Sequence, residues 1–416
     1  IVNNAEVEFA QASAGTYAGA MSGTGDLIKT GAGTLTLTGT NTYSGGTTVS
    51  AGGLTGNTTS LQGAIVNNAE VEFAQASAGT YAGAMSGTGG LTKTGAGTLT
   101  LTGTNTYTGT TNLNAGTIKV GNDSALGTGA LAMATGTTLE TSAATQTLAN
   151  AVAITGTGTV DTNTGNTLTL GGVVSGGALT KIDTGTLALT GANTYTGGTT
   201  LSGGTIQVGN SAALGTGALA MATGTTLESS AANLTVANTV AITGTSTVDT
   251  NANTLTLGGV VSGSGTLTKT DTGTLSLTGA NTYTGGTNLT GGTIRVVTNS
   301  ALGTGALTMA TGTTLESDAN LTVANTVAIT GTGTVDTNGN ALTLSGVVSG
   351  GTLAKTDTGT LVLSGANTYT GGTTLSGGTI QVGSNTALGT GALAMASGTT
   401  LDGRSEERRV GKECRL

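Results

Sequence analysis

Lysines and aspartates two residues apart recur along this chain, and together they could support the cleavage of polysaccharides. Alternate residues of a strand point to the same face, so the two side chains of each pair would lie together. β-Helix enzymes that cleave polysaccharides use clustered Asp, Lys and Arg on such a face. A catalytic site is needed once, whereas these pairs appear in every long copy of a repeat, so we interpret them as exposed ladders or corner residues. The pairs are Lys181 with Asp183, Lys269 with Asp271, and Lys355 with Asp357.

Other carboxylates recur in the same way. Glu6 and Glu8 would stand about 7 Å apart on one strand face, a separation that by itself admits glycoside hydrolysis. The pair is duplicated as Glu70 and Glu72, and nothing nearby resembles a binding cleft, which favours a solvated face. Six further acids recur at matching positions and receive the same structural interpretation: Glu140, Glu228, Glu316, Asp161, Asp249 and Asp336.

The sequence offers little to bind a metal or to activate a nucleophile. It contains no histidine, which removes the usual general base and the commonest zinc ligand. The corners at residues 161–166 and 336–340 carry some oxygen ligands of a calcium loop but lack its closing glutamate, so an Asx-type turn is favoured over a calcium site. We therefore predict no enzymatic activity, no catalytic, cofactor-binding or metal-binding residue, and no cofactor.

Two periods organise the chain. Residues 1–9 return as residues 65–73, a step of 64. A longer step of 88, 88 and 86 residues separates the tyrosines of a recurring Asn-Thr-Tyr and the lysines ahead of them. If one turn of a coil holds roughly 22 residues, the short unit contains about three turns and the long unit about four. The markers are Tyr107, Tyr195, Tyr283 and Tyr369, with Lys93, Lys181, Lys269 and Lys355.

The periods divide the chain into a repeat region over residues 1–403 and a tail over residues 404–416. The repeat region consists of short units over 1–92, long units over 93–180, 181–268 and 269–354, and a partial unit over 355–403. The tail holds 8 charged residues of 13 and the chain's one cysteine, Cys414. Its sequence resembles the translation of a sequencing adapter, so we expect an artefact there.

Composition favours a thin all-β solenoid over a conventional globule. The chain has 76 glycines, no proline, no tryptophan and only two phenylalanines, so its core must be a narrow column of Leu, Val, Ile and Ala. Stacked turns would number roughly 18 to 19. Alternating apolar and small polar residues predict strands at 97–103, 117–120, 130–133, 233–236 and 253–257.

Charge excludes one class of partner. Residues 1–403 hold 17 acids and 7 bases, a net charge of −10. No basic stripe or aromatic platform interrupts this acidic body, so we expect no nucleic-acid binding.

Residues 90–109 and their copies at 27–46, 179–198, 267–286 and 353–372 resemble the autotransporter-associated β-strand repeat. This repeat occurs in passenger domains of bacterial type V secretion proteins. The resemblance implies a right-handed parallel β-helix, carried across the outer membrane and displayed at the cell surface or released. It implies a structural or adhesive role, with repeats that aid secretion and form a stalk or an adhesion surface.

The resemblance also implies partners. They are glycans or proteins of host or neighbouring cells, further copies of the chain, and an outer-membrane β-barrel translocator. We expect that translocator in a longer parent protein of which this chain is a piece. Two alternatives remain open: a surface polysaccharide-degrading β-helix enzyme, and a functional amyloid or an ice- or surface-binding protein built on threonine ladders.

Overall fold

The computed structural model describes residues 1–403, and in that part of the chain every regular element is a β-strand. The predicted tail over 404–416, with Cys414, lies outside the described residues. The predicted all-β fold with stacked parallel strands is confirmed: the strands wind into a β-solenoid of about 20 turns. The right-handed sense of the coil stays a prediction.

The chain divides into two compact units. The first comprises Ile1–Ile206 and Ala212–Gly217, and the second comprises Gln207–Ser211 and the chain from Ala218 onward. The division falls within strand β23, Thr205–Val208.

The strands of the first unit are short, mostly three to five residues. They are β1 Glu6–Phe9, β2 Gly15–Tyr17, β3 Asp26–Lys29, β4 Thr34–Leu37, β5 Thr47–Val49, β6 Gly53–Gly56, β7 Ile65–Asn67, β8 Glu70–Ala74, β9 Gly79–Tyr81, β10 Met85–Ser86, β11 Gly90–Thr94, β12 Thr98–Leu101, β13 Thr111–Leu113, β14 Thr117–Val120, β15 Leu131–Met133, β16 Thr138–Thr141, β17 Thr145–Leu148, β18 Val152–Asp161, β19 Thr167–Leu170, β20 Val174–Ile182, β21 Thr186–Leu189 and β22 Thr199–Leu201.

The strands of the second unit follow the same pattern. They are β24 Leu219–Met221, β25 Thr226–Ser229, β26 Leu234–Val236, β27 Val240–Ile242, β28 Thr245–Asp249, β29 Thr254–Leu257, β30 Val261–Ser262, β31 Thr266–Thr270, β32 Thr274–Leu277, β33 Thr287–Leu289, β34 Thr293–Val296, β35 Leu307–Met309, β36 Thr313–Ser317, β37 Leu321–Val323, β38 Val327–Asp336, β39 Ala341–Leu344, β40 Val348–Thr356, β41 Thr360–Leu363, β42 Thr373–Leu375, β43 Thr379–Val382, β44 Leu393–Met395 and β45 Thr400–Asp402.

Four parallel ladders run along the three walls of the first unit, because each full turn lays one strand or loop on each wall; the last of the four joins β17, β19 and β21. The first ladder joins β1, β3, β5, β7 and β10. The second joins β2, β4, β6, β8, β11, β13, β15 and the starts of β18 and β20. The third joins β9, β12, β14, β16, the ends of β18 and β20, and β22.

The repeated motif moves from one ladder to the next with each copy. Lys29 lies in β3 on the first ladder and Lys93 in β11 on the second. Lys181 lies at the end of β20 on the third. The short period therefore covers three turns and one further wall, and the long period covers four turns and one further wall. The predicted turn of roughly 22 residues is too long, because paired residues lie 17 apart in Gly53 with Glu70 and 20 apart in Leu91 with Thr111.

The second unit shows the same displacement. Lys269 lies in β31, on a ladder with β25, β28, β33 and β35. Lys355 lies in β40 opposite Val335 and Leu375, on the neighbouring ladder with β34, β36 and β42. One repeat thus advances by one wall in this unit as well.

The core is a column of stacked aliphatic side chains. On the third ladder Leu99, Ile118, Leu139 and Val160 lie directly above one another, each at most 1% exposed. Burial of one such side chain contributes about 1.5–3 kcal/mol. Along each of these strands buried and half-exposed residues alternate, as the sequence predicts.

Stacked glycines let successive turns approach closely at one corner. A Cβ at Gly129 would lie 2.1 Å from the carbonyl oxygen of Gly109, and a Cβ at Gly109 would lie 2.3 Å from that of Gly89. No side chain fits at that distance, so the corner requires glycine in three consecutive turns.

Candidate functional site

The repeated lysines are buried, not exposed as the sequence interpretation held. Lys93 is 0% exposed, and its ammonium donates hydrogen bonds to the backbone carbonyls of Thr94 at 2.9 Å, Gly95 at 2.7 Å and Ala115 at 3.1 Å. The third carbonyl belongs to the next turn, so the side chain joins two turns through the interior. Lys29, Lys181, Lys269 and Lys355 are equally buried and make the same type of contact.

The aspartates that follow these lysines do not share a strand face with them. Asp183 and Asp271 are exposed at a corner, in the left-handed backbone region with φ of 61° and 62°. The carbonyl of Asp183 accepts a hydrogen bond from Lys181 Nζ at 2.7 Å, and its carboxylate accepts one from the N–H of Thr184 at 2.7 Å. Asp357 has the same conformation. The shared strand face that the sequence predicted for these pairs, and that a catalytic lysine and carboxylate would need, is therefore absent.

A buried asparagine bridges three consecutive turns in each copy. Asn105 is 3% exposed; its Oδ1 accepts a hydrogen bond from the N–H of Met85 at 2.8 Å, one turn before. Its Nδ2 donates to the carbonyl of Ala125 at 2.6 Å, one turn after. Asn41, Asn193, Asn281 and Asn367 make the equivalent pair of bonds.

This asparagine adds to the backbone hydrogen bonds where the chain forms a loop instead of a strand. Residues 104–108 adopt no regular strand, yet the N–H of Thr106 still donates to the carbonyl of Met85 at 2.8 Å, and the Asn105 amide supplies a further donor and acceptor. Sequence reasoning missed this role, although its signal was available: asparagine stands two residues before the marker tyrosine in every copy.

The marker tyrosine is fully buried and holds the loop closed. The hydroxyl of Tyr107 lies 2.6 Å from Oγ1 of Thr111, at the start of the next strand. Tyr43, Tyr195, Tyr283 and Tyr369 pair with their own threonines in the same way. We refer to Lys93, Asn105 and Tyr107, and to the matching residues of each copy, as the Lys–Asn–Tyr element.

Burial shifts the titration of both ionisable groups of the element. Removal of the ammonium from water lowers the pKa of Lys93, Lys181 and Lys269 to about 8, although nearby aspartates raise it at the last two. Burial raises the pKa of Tyr195 to about 12, and the hydrogen bond with Thr199 works in the opposite direction. Both shifts favour the neutral side chain in the folded protein.

The recurring glutamates lie on the outside of the ladders. Glu140 Oε1 is 2.6 Å from Lys119 Nζ, and Glu316 Oε1 is 3.0 Å from Arg295 Nε. Glu228 instead accepts a hydrogen bond from Gln207 Nε2 at 2.9 Å. These are pairs between neighbouring turns, as their register requires. They support the structural interpretation of these acids.

The paired glutamates near the start also contact threonines of neighbouring turns. Glu8 accepts a hydrogen bond from Thr30 Oγ1 at 2.6 Å, and Glu70 accepts one from Thr92 Oγ1 at 2.5 Å. Thr94 Oγ1 bonds to Glu72. These contacts agree with a solvated strand face.

The candidate calcium corners are Asx turns. Asp161 Oδ1 accepts the N–H of Asn163 at 3.1 Å, Asp249 that of Asn251 at 2.8 Å, and Asp336 that of Asn338 at 2.9 Å. Among residues 1–403 no three acidic or sulfur side chains converge in a way that could hold a metal ion.

Two clefts of the described chain are small. One of about 220 Å³ lies beside Asp123, Ser124 and Asn150, and one of about 270 Å³ beside Asn299, Ser300 and Asn325. Neither brings a lysine and a carboxylate together. The constellation that recurs with full geometric identity is the Lys–Asn–Tyr element, which connects turns.

Ladders of short parallel strands and a recurring interior element define the class: a β-solenoid repeat protein. The family model for the passenger-associated-transport-repeat matches residues 27–55, 91–120, 179–208, 267–296 and 353–382. The five matches therefore identify an autotransporter passenger repeat within this chain, and each match contains one Lys–Asn–Tyr element. Neither the curated proteins nor the solved structures contain a match.

The repeat match bears on where the protein is found. Autotransporter passenger repeats are typical of secreted or surface-exposed proteins. No helix in residues 1–403 is long and apolar enough to cross a membrane.

Proposed function

We propose that this chain is part of a secreted or surface-displayed passenger whose turns fold one upon another during export, and which then serves as a stalk or adhesion surface. The observation that carries the proposal is the Lys–Asn–Tyr element, because its lysine and asparagine form hydrogen bonds with the turns next to their own. Asn105, for example, reaches Met85 and Ala125, each 20 residues away.

Such bonding supports folding of one turn after another. A turn that has just docked satisfies Asn105 Oδ1 through the preceding turn, but Nδ2 finds its partner only when the following turn arrives. Each new turn therefore satisfies the remaining hydrogen bond of a buried asparagine and extends the aliphatic column. Stability of stacked repeats is approximately a sum of such neighbour terms, so chain that has folded outside the cell resists sliding back.

A regular outer surface supports the adhesive part of the proposal. Thr98, Thr117, Thr138, Thr159 and Thr180 occupy consecutive turns of the third ladder and are half-buried. Their hydroxyls and methyl groups form a continuous row, suited to contact with glycans or proteins of another cell or with a second copy. A structural role for the Lys–Asn–Tyr element and the ladders requires no side-chain chemistry, so we propose that the chain is not an enzyme.

Secretion kinetics test the folding role. Fused to an outer-membrane translocator, the chain with Asn41, Asn105 and Asn193 each changed to alanine should reach the cell surface more slowly than the unaltered chain. Asn112→Ala is the matched control, since Asn112 is a half-buried surface residue of β13. Protease accessibility on intact cells measures arrival. Equal rates for the triple variant and the control would contradict the proposal.

A further inference from the structure

Three corresponding corners of the chain differ in the residue that follows their asparagine. Each contains an asparagine two residues after an aspartate: Asn163 before Thr164, Asn251 before Ala252, and Asn338 before Gly339. All three asparagines adopt a left-handed backbone, with φ of 39°, 48° and 45°. Asn338–Gly339 is the single Asn-Gly pair among the 416 residues.

The side chain of Asn338 is held less firmly than the other two. Asn163 Nδ2 donates to Glu140 Oε1 at 3.0 Å and to the carbonyl of Thr141 at 2.8 Å. Asn251 Nδ2 makes the same pair of bonds, to Glu228 and to the carbonyl of Ser229. Asn338 is exposed, and its Nδ2 donates to the exposed Asp318 Oδ1 at 3.2 Å.

The backbone beside Asn338 is also open. Gly339 has φ of 78°, and a Cβ built there would meet only Thr358 Oγ1, at 3.9 Å. The hydrogen bond that closes the turn is donated by the N–H of Asn340 to the carbonyl of Thr337 at 2.7 Å, not by Gly339. The nitrogen next to the Asn338 side chain therefore belongs to a residue without a side chain and has open surroundings.

We infer that Asn338 is a site of spontaneous deamidation through a cyclic imide. The backbone nitrogen of Gly339 attacks Cγ of Asn338 and gives up its proton to solvent, while Nδ2 takes a proton and leaves as ammonia. Water then opens the five-membered imide at either carbonyl, which yields aspartate or isoaspartate. No oxidant or reductant takes part.

The product would alter this corner. A carboxylate at position 338 faces Asp318, which has lost its donor, and isoaspartate adds a methylene to the backbone between β38 and β39. Like charges in contact are unfavourable, and strand register is sensitive to an added backbone atom. The modification would thus loosen one corner and leave its two equivalents intact.

Peptide mass spectrometry of the folded full chain, incubated at neutral pH, tests the inference. The peptide with Asn338 should gain about 1 Da over time, with both aspartate and isoaspartate present, whereas peptides with Asn163 and Asn251 should not. Gly339→Ala reproduces the Asn-Ala pair of the corner at Asn251 and should slow the reaction roughly tenfold. Equal rates at the three asparagines, or no effect of Gly339→Ala, would overturn the inference.

Discussion

The interior and the exterior of the ladders differ in how strictly the repeats preserve them. Inside, all five copies keep a lysine, an asparagine and a tyrosine, and in each copy the lysine donates to a backbone carbonyl of the following turn. Outside, one register position holds Lys119, Gln207, Arg295 and Gln381 in successive copies, opposite Glu140, Glu228, Glu316 and Asp402.

Burial from solvent explains why the interior residues vary less between copies than the exterior ones. A buried polar group that loses its partner costs about 1–3 kcal/mol, so each interior residue must match both neighbouring turns. An exposed ion pair contributes about 0–1 kcal/mol, and a neutral glutamine can replace the cation. Identity between copies therefore follows burial and does not indicate repeated active sites.

Loss of an interior asparagine should lower the stability of the fold more than any other change considered. Asn281→Ala leaves the N–H of Val261 and the carbonyl of Ala301 without their partner, which should cost about 3–5 kcal/mol in the free energy of unfolding. Urea unfolding measures it. Asn288→Ala, at a half-buried position of β33, is the control and should cost under about 1 kcal/mol. Similar losses in both variants would contradict the distinction between interior and exterior.

An aspartate at position 95 should destabilise the first long copy, although later copies carry aspartate at the corresponding position. Gly95 occupies the position of Asp183 and Asp271, but a Cβ there would lie 2.6 Å from the carbonyl oxygen of Gln75. Gly95→Asp should cost about 2 kcal/mol, whereas Asp271→Gly should change stability by less than about 1 kcal/mol. Thermal unfolding compares the two, and a neutral Gly95→Asp would show that the corner can relax.

Alkaline pH should first stabilise and then destabilise the fold. The pKa of Lys93, Lys181 and Lys269 is about 8 in the folded protein and 10.5 ordinarily. Between these values the unfolded chain binds more protons, so the free energy of unfolding rises with pH. Burial also raises the pKa of Tyr107 and Tyr283 above the ordinary 10.0, so the trend reverses above about pH 10.

The urea concentration at the midpoint of unfolding, measured across the alkaline pH range, checks this predicted rise and fall in stability. Lys269→Met should flatten the rising part of the curve, because one titrating group is gone. A midpoint that falls steadily from pH 7 upward in the unaltered chain would be evidence against it.

The smallest loss of stability should come from a substitution on the exterior of the ladders. Lys119→Gln copies the residue of the next repeat and breaks an ion pair whose side chains are 29% and 18% exposed. The expected loss is below about 1 kcal/mol and should shrink further at high salt. A loss as large as that of Asn281→Ala would show that exterior pairs also determine stability.

Much of the fold could be predicted from the sequence because strand alternation and corner glycines are local signals. The five predicted strands contain β12, β14, β15, β26 and β29. The number of walls per turn is not local: a period of 88 fits four turns of 22 residues as well as the shorter turns that the ladders show. Only the pairing of strands distinguishes these solutions.

The burial of the lysines had a sequence signal that reasoning from charge overlooked. Lys93 stands two residues after Leu91 in the same strand, so both point to the core, and the burial pattern of β11 confirms this phase. The partners of the ammonium could not be predicted, since they are carbonyls from a corner and from the following turn.

The advance of one wall per copy limits what a flat partner can touch. In the first unit the segments around Lys29, Lys93 and Lys181 face three different directions. A planar surface can contact the segment around only one of these lysines at a time. Each of the three walls of the unit carries one copy of that segment, so a planar partner meets one copy on any wall that it approaches. Duplication of one sequence has thus produced a body that presents equivalent features all around its circumference.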